Sequence, residues 1–259
     1  MAIFHHLSIN RYFTIHYSLF TMSIPIAGLT KLDLIDYPGK ISCVVFTQGC
    51  NFRCRFCHNP DLLCAAKHDL ESNQKWIEYE QKFFDFLETR KGKLDAVVVT
   101  GGEPTLHKNL PHFLKRIKDL GFLVKLDSQG TNPAMLKQIL SEKLVDYVAM
   151  DIKHIPEKYH LVVGRKVDLD KINESINMIK LLAPDYEFRT TVVPGLHTER
   201  DFEEIAQWLA QAKNYYLQEF RAEVVFDKTL PNEACGLKLD LEKIAETMQK
   251  WICKVEIRR

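Results

Sequence analysis

The sequence has no excess of charge of either sign: 35 Lys and Arg stand against 34 Asp and Glu, for a net charge of +1. That balance offers no electrostatic case for nucleic acid or for a membrane as partner. There is no internal repeat, no low-complexity tract and no Pro/Gly/Ser-rich linker, so nothing divides the 259 residues into a string of small domains. Cysteines are few and badly arranged for staples. Seven is an odd count, and a chain of this length can bury a core without disulfides. A second C-x2-C pair, which a closed structural zinc site commonly uses, is missing too. What remains is 46% apolar and 27% charged, the composition of a soluble enzyme with one large α/β domain.

Residues 1–21 stand apart. They mix Phe, Tyr, Leu and Ile with His5, His6, Asn10, Arg11 and His16. They lack a basic start, an unbroken apolar core and a small-residue cleavage site, which argues against a secretory signal, and they are too interrupted to span a bilayer. Met22 opens a stretch that reads like a natural start. The expectation is an N-terminal extension over 1–21 and a core domain over 22–259, with a short amphipathic helix on the domain's open edge as the competing reading.

Three cysteines crowd one short loop. Cys50, Cys54 and Cys57 fall in Thr47-Gln48-Gly49-Cys50-Asn51-Phe52-Arg53-Cys54-Arg55-Phe56-Cys57-His58-Asn59-Pro60, directly after an apolar β-type run. Thiolates are soft ligands, and an iron–sulfur cluster is the usual reason to gather several. A 4Fe–4S cube held by three of them keeps one iron open to a small molecule. A ferredoxin would need a fourth ligand at compact spacing, and none is present. Cys43, Cys64, Cys235 and Cys253 read as packing residues. Exposed cluster chemistry and free thiols call for a reducing, cytoplasmic setting.

From Ile41 onward β-type runs alternate with helical stretches. Strands are expected at 41–46, 96–100, 123–127, 147–151, 187–193 and 221–226. Helices are expected at 76–89, 110–120, 133–142, 169–182, 198–213 and 239–252, punctuated by Gly92, Gly121 and Pro184. Thr198 and Asp201 fit a capping box. Near-continuous apolar strands separated by helices predict a parallel sheet. Six such units predict an α/β fold, a partial (βα)6 TIM-like barrel open on one side, with its site at the C-terminal ends of the strands.

The suggestive motifs fall at those ends. Gly101-Gly102-Glu103-Pro104 follows the second strand, where two glycines allow close backbone approach; in isolation an ordinary strand-to-helix turn is the favoured explanation. Asp127-Ser128-Gln129-Gly130 follows the third strand and also reads as an Asx turn. Asp151 and Lys153 share a face after the fourth strand, as a solvated ion pair or as a site pair. His154 is as compatible with a surface role as with a catalytic one. Arg189 in the fifth strand fits either a charge-assisted ligand contact or a strand-edge salt bridge.

Taken together, the C-x3-C-x2-C loop and these turns resemble the radical S-adenosylmethionine (SAM) enzymes. The resemblance implies a barrel of the radical SAM type, one 4Fe–4S cluster on Cys50, Cys54 and Cys57, and SAM chelated to the open iron. It further implies that reductive cleavage of SAM gives a 5′-deoxyadenosyl radical. By the same resemblance Phe56, Gly101, Gly102, Glu103, Asp127, Ser128, Asp151, Lys153 and Arg189 contact SAM, with Asp151 and Lys153 also placed for catalysis. A monovalent cation beside the SAM carboxylate belongs to the same pattern. The formate-lyase activases carry a histidine near the sixth strand end, and the run 220–228 offers no match for it.

The segment from Gly28 to Lys40, with Gly49-Cys50 and Cys57-His58-Asn59-Pro60, resembles one set of glycyl-radical activases. These are the activating proteins of anaerobic ribonucleoside-triphosphate reductase, in their longer barrel form. That resemblance implies hydrogen abstraction from a glycine Cα of the reductase, with flavodoxin or ferredoxin as electron donor. The alternatives are an activase of a formate-lyase type enzyme, a small-molecule radical SAM enzyme, and, outside enzymes, an iron–sulfur electron carrier.

Overall fold

Among the described residues, eight strands form one sheet in chain order: β1 (Ile26–Asp33), β2 (Ser42–Thr47), β3 (Ala96–Gly101), β4 (Leu123–Ser128), β5 (Tyr147–Asp151), β6 (Tyr186–Val192), β7 (Asn214–Glu219) and β8 (Lys254–Arg258). The computed structural model describes residues 23–64 and 70–259, so the expected extension over 1–21 lies outside the described residues. β1 runs antiparallel to β2, and every later neighbour pairs in parallel. The order is linear, with β1 and β8 as the two edges, so the barrel is partial and open. Between the strands lie α1 (Leu70–Glu88), α2 (Leu110–Asp119), α3 (Pro133–Ser141), α4 (Tyr159–Val163), α5 (Leu169–Leu182), α6 (Glu199–Trp208), α7 (Leu230–Ala234) and α8 (Leu241–Met248).

Alternation along the strands sorts the side chains onto two faces. Val45, Val97, Val99, Val124, Leu126, Val148, Met150 and Phe188 point outward and are buried with the helices' apolar faces. Phe83 and Phe84 of α1 meet Phe113 of α2 in this layer. Each such buried side chain stabilises the fold by roughly 1.5–3 kcal/mol. The inner face starts apolar, with Val44, Ala96, Val98 and Tyr147 packed on Tyr37. Farther along it turns polar, and Lys125, Asp127, Glu187 and Arg189 are all buried there.

Four of the expected strands match to within a residue or so, and 147–151 and 169–182 match fully. The predicted capping box is present on α6, where the Thr198 and Asp201 side chains exchange bonds with each other's backbone. The sixth expected strand is wrong. Residues 221–226 form no ladder, and the strand is Asn214–Glu219, in the stretch left unassigned between the helix expected to run to 213 and the strand expected at 221. The helix ends at Trp208, and the turn beyond it passes through Gln211 at a left-handed φ of 67°, with no glycine to announce it. β1 and β8 are additional. Cys43 is buried as expected, but Cys64, Cys235 and Cys253 are exposed, so these three are surface thiols rather than packing residues.

Candidate active site

The cysteine loop leaves β2 at the C-terminal edge of the sheet and is held by backbone bonds on several sides, with side-chain bonds of Asn51 and Arg55 added to them. The Gly102 N–H donates to the Thr47 carbonyl at 2.9 Å, and the Glu103 N–H donates to the Gly49 carbonyl at 2.8 Å. A Cβ on Gly102 would stand 2.1 Å from the Gly49 oxygen, and one on Gly101 would stand 2.2 Å from the Thr47 nitrogen. The glycines are therefore required by the neighbouring loop, whose cysteine segment they admit, and both also border the cavity. On its other sides the loop is clamped twice. Arg53 and Arg55 donate their N–H groups to the Val163 and Val162 carbonyls at 2.9 and 3.2 Å. Phe226 and Asp227 donate theirs to the Cys57 and Arg55 carbonyls at 3.0 and 2.9 Å. The segment mistaken for a strand is thus a strap across the cysteine loop. The Arg55 side chain fastens it through Asp227 at 2.6 Å and Glu233 at 2.7 Å.

Cys50, Cys54 and Cys57 are free thiols on the wall of one cavity of about 210 Å³. Burial pushes the Cys50 thiol up to about 11 and Cys54 to about 12, and Cys57 is raised for the same reason. Binding soft metal there must release protons. Among the described residues no three His, Cys, Asp or Glu side chains converge on a single metal ion.

Opposite the thiols the cavity wall is charged. Arg189 on β6 donates from Nε to Asp151 at 2.6 Å and from Nη2 to Asp127 at 2.9 Å, tying the ends of β4, β5 and β6 together. Lys153 donates to the other Asp151 oxygen at 3.0 Å and stands 5.6 Å from the centre of the Phe56 ring. Burial works against every one of these charges, yet the ion pairs prevail. Arg189 and Lys153 hold the Asp151 carboxyl well below its ordinary value, and Arg189 and Lys125 lower that of Asp127. Lys153 and Arg189 are raised in return by the carboxylates beside them. All four groups are ionised at neutral pH. Asp127 Oδ1 has no hydrogen-bond partner, and Lys125 is 3.6 Å away. The Lys125 ammonium pairs with that oxygen electrostatically but lies beyond hydrogen-bond distance, so the oxygen keeps an acceptor position.

Glu103 and Ser128 line the same cavity but face each other. The Glu103 carboxylate accepts from Ser128 Oγ at 2.9 Å, from the Gln129 N–H at 2.8 Å and from Thr105 Oγ1 at 2.5 Å. It staples the β3 turn to the β4 turn, and burial pushes its carboxyl up against the pull of those bonds. Gln129 reaches across to donate to Asn51 in the cysteine loop. Every residue the sequence singled out, from Phe56 and the three cysteines to Gly101, Gly102, Glu103, Asp127, Ser128, Asp151, Lys153 and Arg189, borders this one cavity. Sequence reasoning missed Thr191 and Gln218, which border it as well. Gln218 occupies the β7 end that had seemed empty, and the alternation of Tyr216 and Gln218 inward with Tyr215 and Leu217 outward was its signal. Lys125, fully buried between Asp127 and Glu187, was also missed.

Residues 44–209 match the family model of the radical SAM superfamily. The chain belongs to that superfamily. A Methanocaldococcus jannaschii protein named as a glycyl-radical enzyme activating enzyme is 33% identical over 242 residues, covering 92% of this radical SAM chain and 97% of its own. A pyruvate formate-lyase-activating enzyme of Clostridium pasteurianum is 32% identical over 142 residues, covering 54% of this chain and 57% of its own. These relatives put the protein in the activating-enzyme group.

Among solved structures, Escherichia coli QueE superposes with a TM-score of 0.51 at 17% identity, covering 98% of this chain and 99% of that one. Streptococcus suis SuiB bound to S-adenosylmethionine gives 0.58 at 12% identity, covering 81% of this chain, which spans only 48% of SuiB. At those identities the likeness is one of fold. The family's cofactors, a 4Fe–4S cluster and SAM, fit the residues present: three unpaired thiols, a paired set of charges of both signs, and one buried acceptor without a donor. Among the described residues no helix is long and apolar enough to cross a membrane.

Proposed function

We propose that this activating enzyme installs the glycyl radical on an anaerobic ribonucleoside-triphosphate reductase. The observation that carries the reading is the single cavity in which three thiols face Asp127, Asp151, Lys153 and Arg189. Cys50, Cys54 and Cys57 would hold the cluster, and the charged wall would hold the methionine end of SAM. Together the bound cofactors supply a carbon radical able to take a hydrogen atom from a glycine Cα, chemistry that belongs to them and not to a protein acid or base. The protein's part is orientation. Lys153 and Arg189 are the cations available to a carboxylate, and Asp127 Oδ1 is the acceptor available to an ammonium or a monovalent cation. Fixing both ends of a zwitterion leaves its third substituent in one direction, which is the positional advantage a radical step needs. Gly101, Gly102, Glu103 and Ser128 support that wall by locking the turns together, and Phe56 packs beneath Lys153.

The choice of partner rests on the stretch from Gly28 to Lys40 and on Cys57-His58-Asn59-Pro60. A formate-lyase type partner is the second reading, because pyruvate formate-lyase-activating enzymes match over half of the chain. Flavodoxin or ferredoxin is the proposed electron donor. The test mixes the reconstituted protein, SAM and reductant with each candidate partner under anaerobic conditions. A glycyl-radical EPR doublet on the reductase, with deuterium passing from its labelled glycine into 5′-deoxyadenosine, is the expected result. A doublet on a formate lyase alone would transfer the assignment. SAM cleavage with no doublet on any such partner would turn it to a small-molecule substrate.

A further inference from the structure

Two histidines behind the charged wall have no part in the chemistry above. His154 follows β5, and His197 closes the turn after β6. They are 1% and 2% exposed, and their rings stack with centroids 4.7 Å apart. Each Nδ1 accepts a backbone N–H, from Ile155 at 2.7 Å for His154 and from Val193 at 3.1 Å for His197. A ring nitrogen that accepts an N–H carries no proton, so both rings are neutral with the proton on Nε2. From Nε2 the His154 ring donates to the Leu196 carbonyl at 3.0 Å, and the His197 ring donates to the Lys153 carbonyl at 3.0 Å. The bonds are reciprocal: the histidine after β5 holds the β6 turn, and the histidine of the β6 turn holds the β5 end.

That second bond matters because β5 ends at Asp151 and the backbone of Lys153 lies beyond the ladder. The last ladder-like bond is the Ile152 N–H donating to the Arg189 carbonyl at 2.9 Å. We propose that His154 and His197 form a clasp that fixes the Lys153 backbone and so aims the Lys153–Asp151 pair at the methionine end of SAM. They are positioning residues, and the inference rests on the proposed role of Asp151 and Lys153 toward SAM.

The surroundings keep the clasp neutral. Asp201 of α6 is 3.8 Å from His154 Nε2, but its oxygens are taken by Thr198 and by Lys158, both at 2.7 Å. Lys158 and Glu204 act on His154 from farther off, and the Phe202 ring lies 5.4 Å from that of His197. Burial lowers both imidazoles, His197 to about 4. A proton on either Nδ1 would set it against a backbone N–H. Because the folded-state value lies below the ordinary one, the clasp is intact above about pH 6.5 and is lost as the pH falls toward 4.

The test uses the full chain with its cluster, and compares wild type, His197→Ala, His197→Gln, Lys153→Ala and the His197→Ala/Lys153→Ala double variant. SAM affinity is read by equilibrium dialysis and cluster content by iron analysis. His197→Ala should keep its iron and bind SAM about tenfold more weakly. His197→Gln supplies both an acceptor and a donor and should come within about twofold of wild type. In the Lys153→Ala background the His197 substitution should add nothing, because its effect passes through Lys153. Additive losses would overturn positioning. Lys153→Ala with unchanged affinity would fell the reading of the site and the clasp with it, whereas a Lys153 effect without a His197 effect overturns the clasp alone. Independently, imidazole ¹⁵N NMR of the cluster-free wild type should show both rings as neutral Nε2–H tautomers at pH 7, and an Nδ1–H or doubly protonated ring there would refute the arrangement.

Discussion

The two halves of the cavity are built from different material. On the side of β2 and β3 the work is done by backbone: glycine-permitted contacts, N–H to carbonyl bonds, and loops stacked at distances that exclude a Cβ. On the side of β5 and β6 it is done by charged side chains that compensate one another. A rigid backbone cradle suits a cluster whose ligands must keep fixed spacing. A paired set of charges suits a ligand that arrives with a carboxylate and an ammonium and can exchange partners with the wall. The halves should therefore fail differently when mutated.

The sharpest break should come on the cysteine side. Replacing Cys50, Cys54 or Cys57 with alanine should abolish cluster incorporation, read as iron and sulfide content and visible absorbance after anaerobic reconstitution. Alanine at Cys64, Cys235 or Cys253 should leave both unchanged, since these thiols are exposed and away from the cavity. Dependence on one of the latter would mean that the cluster has a fourth protein ligand and no open iron.

On the charged side the largest effect should be thermodynamic. Arg189→Ala removes the guanidinium shared by Asp127 and Asp151, leaving two carboxylates in a mostly buried wall. Breaking such a pair costs about 3–5 kcal/mol, measurable by urea unfolding of the cluster-free protein. Arg189→Lys keeps the charge but has no planar fork to bridge both carboxylates, so it should recover only part of the loss. Full recovery by lysine would mean that net charge, and not bidentate geometry, holds the strand ends together.

Gly102→Ala probes the backbone side in the same assay. The added carbon meets the Gly49 carbonyl at 2.1 Å, and backbone cannot step aside as a flexible side chain would. Overpacking of this kind costs about 1–3 kcal/mol. Unlike Arg189→Ala, it should also lower cluster content, because the displaced loop carries Cys50. A variant that loses stability while keeping full iron would show that the loop and the Gly101-Gly102 turn move together.

These contrasts also explain what the sequence could and could not reveal. The residues of the cavity were legible because each sits within a few positions of a strand end, and a local pattern of apolar run, turn and charged residue marks it. The same locality hid their relationships. The bracing role of the Glu103 carboxylate went unseen because nothing in Gly-Gly-Glu-Pro announces Ser128 and Gln129 as its partners, 25 and 26 residues away. Lys125 looked like an ordinary polar position, since its burial follows from the closure of β4, β5 and β6 around it. β7 was missed between a helix read on to 213, which ends at Trp208 without a glycine, and a strand misplaced to 221–226, and β1 was missed for its exposed, mixed composition as an edge strand. His197 offered no signal at all, because its partner is the backbone of a residue 44 positions earlier.

The mildest prediction falls on the seam between the halves. Arg55 lies between Cys54 and Cys57, and its backbone bonds both clamps, donating to Val162 and accepting from Asp227. Its side chain adds the ion pairs to Asp227 and Glu233. The Asp227 carboxyl is drawn down to about 2, first by the Thr229 N–H and then by Arg55, so the aspartate would stay ionised and bonded without the guanidinium. Both carboxylates are reached by solvent, and exposed pairs contribute little. Arg55→Ala therefore removes the fastening but leaves the backbone clamps. Iron content should be unchanged, and the melting temperature of the cluster-loaded protein should fall by no more than about 2–4 °C. The fall should shrink further in high salt, which screens the wild-type pairs. A loss of cluster on Arg55→Ala would show that the strap over 220–238 holds the cysteine loop through its charges, and the backbone-built half would then depend on ionic contacts as much as its neighbour does.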